Sequence, residues 1–221
     1  MGISIIVTGA TGLVGSEVIR AAIEDPAIEK ITAISRKPLP VTNPKLTVIL
    51  HPDFSNYEPL QSVFQTHDVC VWALGVSQFQ VSKEEYVRIT YDYILAAAKA
   101  MLQSNPSLHL MFVSGEGADQ TEQSGRLFAK IKGRAEKDLL ALPFKKLTIL
   151  RPAGIRPIHK NPNAPLLYKL LNPIYPALEF MFPKHVIKST DLAKAILLVL
   201  QNRSRTGTCT IHNQELRKRS E

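Results

Sequence analysis

A chain of 221 residues with 45% hydrophobic and 21% charged residues can bury one sizeable core, which excludes a disordered or fibrous protein and favours a single α/β domain. Its net charge of +8 favours anionic partners such as phosphates, yet no nucleic-acid module with interleaved aromatics is present, so DNA or RNA binding is not expected. Cys70 and Cys209 stand in separate apolar runs and the six histidines lack ligand spacing, so neither a disulfide framework nor a metal site is expected, and a reducing, cytoplasmic setting fits best.

Met1 leads at once into the apolar run Ile3 to Thr8, which predicts a first strand and no secretory start. Gly2 does not open a myristoylation signal, because Ile6 stands where Ser or Thr is needed. Helical spacing follows over Glu17 to Ile23, then strands over Ile31 to Ser35 and Leu46 to Leu50. A helix over Tyr57 to Gln65, a strand over Val69 to Leu74 and a helix over Lys83 to Leu102 come next. The strand Leu108 to Ser114, the helix Arg126 to Leu142 and the strand Leu147 to Arg151 complete the series. Each strand is nearly continuous in apolar residues, as strands covered on both faces are. Six such strands joined by helices predict a doubly wound, mostly parallel Rossmann-like sheet with helices on both faces, and residues 1–151 are its nucleotide-binding core.

Beyond Arg151 the texture changes, with Pro152, Pro157, Pro162, Pro165, Pro173, Pro176 and Pro183 before a last helix over Thr190 to Gln201. Residues 152–221 are therefore expected to form a Pro-rich lid on the substrate side, with the last helix, and not a second domain. The stripe Leu166, Leu167, Leu170, Leu171 and Ile174 reads as lid or core packing. Ala164 to Phe182, interrupted by Lys169, Asn172 and prolines, is not expected to span a membrane. The tail Arg217, Lys218 and Arg219 reads as a solvated, frayed end.

The motif with chemistry is Thr8-Gly9-Ala10-Thr11-Gly12-Leu13-Val14-Gly15, between the first strand and the first helix. Gly9 serves a sharp turn, Gly12 the approach of a backbone to a diphosphate, and Gly15 the close packing of helix on sheet. Thr11, Leu13 and Val14 present the N–H groups of a helix N-terminus, whose dipole favours an anion. At the end of the second strand, where an acidic residue would accept bonds from the 2′-hydroxyl of NAD, the sequence has Arg36 and Lys37, which suit the 2′-phosphate of NADP(H). Asp53 and Phe54 after the third strand read either as adenine neighbours or as a polar turn. Leu74 and Gly75 end the fourth strand where a backbone passes near the cofactor ribose.

These segments together resemble the atypical short-chain dehydrogenase/reductase proteins, in the subgroup similar to the Tat-interacting tumour suppressor oxidoreductase and its fungal and bacterial relatives. TGATGLVG at 8–15, SRKP at 35–38, ALG at 73–75, SGEGAD at 114–119, KGRAEKDL at 132–139 and RP at 151–152 carry the likeness. The resemblance implies NADP(H) across the strand ends and a hydride-transfer site near the fifth strand and the following helix, where such proteins use a Tyr, a Lys four residues later and a Ser. The matching lysine is Lys132, but Phe128 stands four residues before it, and a phenyl ring transfers no proton. Ser114 matches the first serine of the family's pair and Gly115 replaces the second, so Ser114 is either a substrate donor or a strand-end residue. Lys132 holds a ribose, acts alone as the acid, or lies solvated on its helix; Tyr91 and Tyr168 are the tyrosines that could enter the crevice instead.

Two functions follow as expectations. One is an NADP(H)-dependent oxidoreductase acting on a small carbonyl or alcohol. The other is a catalytically impaired NADPH-binding sensor with a protein partner or a second copy of itself.

Overall fold

The computed structural model describes residues 2–159, 175, 181–202 and 206–220. Its strands are β1 (Ile3–Thr8), β2 (Ile28–Ser35), β3 (Leu46–Leu50), β4 (Val69–Trp72), β5 (His109–Val113), β6 (Lys146–Arg151), β7 (Gly154–Arg156), β8 (Val186–Lys188) and β9 (Gly207–His212). Seven of them pair in parallel in the order β3-β2-β1-β4-β5-β6-β9, while β7 and β8 pair as a separate two-stranded ribbon. The order runs outward from β1 in one direction and from β4 in the other. Their shared carboxyl edge is thus the switch point at which a doubly wound sheet leaves a crevice.

Alternation along each strand divides the core in two, because successive side chains leave opposite faces of a sheet. Ile5 and Val7 of β1 face one layer with Ile31, Ala33, Val69, Val71 and Met111, beneath α1 (Leu13–Glu24) and α6 (Ser189–Gln201). Ile6 faces the other with Ile34, Cys70, Trp72, Leu110 and Phe112, beneath α2 (Gln61–Gln65), α4 (Tyr93–Ser104) and α5 (Leu127–Leu140). This is the doubly wound α/β architecture that the alternation of strands and helices predicts.

Three features differ from expectation. The helix expected over Lys83 to Leu102 is α3 (Lys83–Val87), a π turn (Arg88–Asp92) and α4. The wide turn rephases the buried face, so that Tyr86 lies inward before it, Ile89 within it, and Ile94, Ala97, Ala98 and Met101 after it. The sheet has seven strands and not six: β9, whose Thr, Cys and His residues hide its strand character, pairs with β6 from Lys146↔Gly207 to Arg151↔His212.

The tail is not frayed but forms α7 (Asn213–Ser220), because Leu216 is fully buried and the guanidinium Nη1 of Arg217 donates to the Val186 carbonyl at 2.5 Å. From Ser189 onward, then, the stretch expected as lid supplies a covering helix and an edge strand of the core. Within the expected lid, Pro162, Pro165, Pro173, Pro176, Tyr168 and the stripe Leu166, Leu167, Leu170, Leu171 and Ile174 lie outside the described residues.

Candidate functional site

The loop between β1 and α1 is built by its glycines. Gly9 adopts φ 65°, and a Cβ there would lie 2.3 Å from the Ala73 carbonyl oxygen, so that the loop nests against the end of β4. A Cβ on Gly15 would lie 2.3 Å from the Gly9 carbonyl oxygen, the closeness with which α1 is seated on the loop. The Gly12 N–H donates to that same oxygen at 2.8 Å.

Gly12 caps α1 without a side-chain acceptor, and no acidic residue lies in the first turn. Neither a capping side chain nor a first-turn carboxylate therefore competes with an anion for the N–H groups of Leu13, Val14 and Gly15, which fits a diphosphate cradled there. Thr11, Leu13 and Val14 are half-buried around it. On the opposite bank the Leu74 N–H donates to Thr8 Oγ1 at 3.3 Å, and Gly75 is exposed with open space where a side chain would stand.

Arg36 and Lys37 are exposed at the end of β2, where the Lys37 N–H donates to Ser35 Oγ at 3.2 Å. The Ser35 carbonyl receives the His51 N–H at 2.9 Å, which brings the β3 end beside them. Asp53 is exposed and folded into its own turn, accepting from the Ser55 N–H at 2.9 Å and the Ser55 hydroxyl at 2.5 Å; these bonds hold its carboxyl below the usual range. Phe54 is 2% exposed, its ring packed against His51, Tyr57, Trp72 and Tyr93, so it supports the strand ends from below and offers no face for stacking.

Across the crevice, the Lys132 ammonium donates to the Ser114 carbonyl at 2.6 Å. Burial lowers its pKa to about 8, opposed by the carboxylate of Glu136 one helical turn on. A Cβ on Gly115 would lie 3.5 Å from Lys132 Nζ, so the lysine runs beside the backbone of the Ser114 turn.

The Ser114 hydroxyl is 3% exposed at residue level and donates to Glu136 Oε1 at 2.5 Å. It is therefore turned toward the buried carboxylate of Glu136, while the Ser114 carbonyl faces Lys132. Glu136, fully buried, also accepts from Arg151 Nε at 2.9 Å and from Gln120 Nε2 at 2.9 Å, and Arg151 Nη2 reaches its second oxygen. No motif reading singles out Glu136, although it falls on the buried face of α5 with Ala129, Gly133 and Leu139.

Phe128 lies in the first turn of α5, its N–H donating to Gln78 Oε1 at 3.0 Å and its ring against the Gly117 turn. Tyr91, expected as a tyrosine that could enter the crevice, is engaged elsewhere. Its hydroxyl donates to Asp138 at 2.5 Å and the Arg134 guanidinium sits 4.2 Å from its ring centre, between the π turn and α5. No group of His, Cys, Asp and Glu able to hold a metal occurs among the described residues.

The loop from Gly115 to Ser124 is pressed onto α5 at Gly133, where a Cβ would lie 1.9 Å from the Asp119 carbonyl oxygen. Gly133→Ala must push that loop off the helix, at about 3 kcal/mol. A fall of roughly 6 to 12 °C in the melting temperature is expected. An unchanged thermal transition would contradict this packing.

Comparison with known proteins gives the family and the fold. The model of a family described as NAD(P)H-binding matches residues 9–203. The chain belongs to that NAD(P)H-binding family. Leucinostatins biosynthesis cluster protein T of Purpureocillium lilacinum is 37% identical over 158 residues, 68% of this chain and 57% of that protein. Protein FMP52, mitochondrial, of Candida albicans is 34% identical over 156 residues, 69% of this chain and 67% of that protein. Protein HTATIP2 of Rattus norvegicus is 27% identical over 154 residues, 67% of this chain and 61% of that protein.

The matches thus span about three fifths to two thirds of the relatives' lengths. With such relatives, the likeness to atypical short-chain dehydrogenase/reductase proteins holds. Among solved structures, dTDP-glucose 4,6-dehydratase of Bacillus anthracis in complex with NAD matches with a TM-score of 0.70 at 15% identity, over 98% of this chain and 79% of that one. The enzyme WbmG of Bordetella bronchiseptica in complex with NAD matches at 0.69 and 14% identity, over 96% and 73%. These two likenesses establish the fold. No helix among the described residues is long and apolar enough to cross a membrane.

Proposed function

We propose that this member of the NAD(P)H-binding family is an NADP(H)-dependent oxidoreductase acting on a small carbonyl or alcohol, with Lys132 as its working side chain. The carrying observation is the Lys132 ammonium, held by the Ser114 carbonyl at 2.6 Å beside the carboxyl edge of the sheet. Bound NADPH supplies a hydride. Gly9, Gly12 and Gly15 shape the seat of its diphosphate, and the N–H groups of Thr11, Leu13 and Val14 line that seat. Arg36 and Lys37 bind the 2′-phosphate, while Leu74 and Gly75 border the ribose; Asp53 sits at the rim of the adenine end and Phe54 beneath it.

Lys132 donates to the nicotinamide ribose and gives a proton to the carbonyl oxygen as the carbon is reduced, its lowered proton affinity offsetting the missing tyrosine. The two free cysteines support a reducing, cytoplasmic setting, although FMP52 proteins are named mitochondrial.

Phe128 favours a second reading, an NADPH-occupied sensor with a protein partner or a second copy of the chain. NADPH oxidation against aldehydes, ketones and quinones separates the two. Turnover that falls about a hundredfold in Lys132→Ala, with NADPH affinity within a few fold of wild type, is the expected result, in the range of a lost proton donor. An inert wild-type protein that gains turnover in Phe128→Tyr would favour the sensor. Because the donor form is the ammonium, kcat/KM is expected to be flat at lower pH and to fall about tenfold per unit once pH passes about 8.

A further inference from the structure

We infer that Glu136, clamped by Arg151, is the positioning residue that holds Lys132 in place and keeps it charged. The geometry is a chain of contacts centred on one buried carboxylate. Oε1 of Glu136 accepts from the Ser114 hydroxyl at 2.5 Å and Arg151 Nε at 2.9 Å. Oε2 accepts from Gln120 Nε2 at 2.9 Å and from Arg151 Nη2. Ser114 is thereby fixed by its side chain, and its carbonyl receives Lys132 Nζ at 2.6 Å. Its N–H is fixed too, on the Leu150 carbonyl at 2.8 Å, and the Glu116 N–H is held by the Pro152 carbonyl at 2.8 Å. The turn that carries the lysine's acceptor is therefore anchored to β6 from both sides.

The electrostatic half rests on Glu136, the charge on α5 that acts on the ammonium. Glu136 is itself paired with Arg151 at the end of β6, whose side chain is 15% exposed. Glu116 of the Ser114 turn acts on Arg151 and lies 3.0 Å from His212 Nδ1. Glu136 is the charge that opposes the burial of Lys132. Four donors, two of them from the Arg151 guanidinium, offset the desolvation of this buried carboxylate and keep it in place. Its charge in turn opposes the desolvation of a lysine that must carry a proton near neutral pH.

The functional meaning rests on the reading of Lys132 given above, whereas the titration of Lys132 does not, and the experiment uses that separation. The full-length protein without nucleotide is treated with acetic anhydride between pH 6 and 11, and acetylation of Lys132 is followed by mass spectrometry. The wild-type midpoint is expected near 8. Glu136→Gln keeps an acceptor for Ser114 and removes the charge, and its midpoint is expected about one unit lower. Glu136→Asp keeps the charge at a greater distance and is expected in between. It serves the same purpose should Glu136→Gln fail to fold, since a wild-type midpoint in Glu136→Asp would then overturn the inference.

A purely structural carboxylate would lower the melting temperature of the variants and leave the midpoint within a few tenths of wild type, and that result overturns the inference. NADPH titration of the same samples is read separately. Failure of the wild type to bind NADPH would sink the cofactor reading while leaving the Lys132 titration as the test of Glu136.

Discussion

Arg36→Ala is expected to weaken NADPH binding by about ten- to a hundredfold while changing NADH binding by less than threefold. The size follows from the 1.5 to 3 kcal/mol typical of about one or two charge-assisted bonds from a guanidinium to a phosphate. The side chain is exposed at the end of β2, so the loss should shrink as salt is raised. Lys37 lies beside it, equally exposed, and Lys37→Ala should show a smaller loss of the same sign. Fluorescence or calorimetric titration with both nucleotides checks this, and equal loss for NADPH and NADH would show that the end of β2 does not select the 2′-phosphate.

Gly15→Val is expected to abolish measurable binding of either nucleotide. Even the first carbon of the new side chain would meet the Gly9 carbonyl oxygen at 2.3 Å, which is backbone and cannot step aside. The loop or the first turn of α1 has to move, and the N–H groups lose their aim at the diphosphate. The overpacking also costs about 1 to 3 kcal/mol of stability, so binding has to be measured well below the melting temperature. Retained nucleotide affinity in a folded Gly15→Val protein would mean that the diphosphate does not rest on this loop.

How much of this was legible in the sequence depends on the range of the interactions. Strands such as Ile3–Thr8 and Val69–Trp72 read clearly because burial on both faces makes each nearly continuous in apolar residues, while the edge strand β3, none of whose residues is buried, read from its own apolar sequence. The phosphate loop read clearly because its requirements are local. Elements whose stability comes from distant partners did not. β9 is a strand because β6 lies beside it, and α7 is a helix because Leu216 and Arg217 find the core and the Val186 carbonyl.

Phe54 was legible as a residue near the strand ends, but its ring belongs to a cluster assembled from β4, α4 and the loop after β3. Glu136 was hidden in the charged run Lys132 to Asp138, since its ligands come from β6 and from the loop before α5. The one local signal was phase: Glu136 lies three residues after Gly133 and seven after Ala129, on the face that α5 buries. Ser114 shows the same limit, because its place at the end of β5 was plain while the direction of its hydroxyl depended on Glu136.

Isothermal titration of the wild-type protein with NADPH and with NADH at moderate salt tests the central claim most directly. Association with NADPH at least tenfold tighter than with NADH is expected from a diphosphate seated on the Gly9–Gly15 loop and a 2′-phosphate met by Arg36 and Lys37. Absence of heat and of affinity for both nucleotides would contradict it.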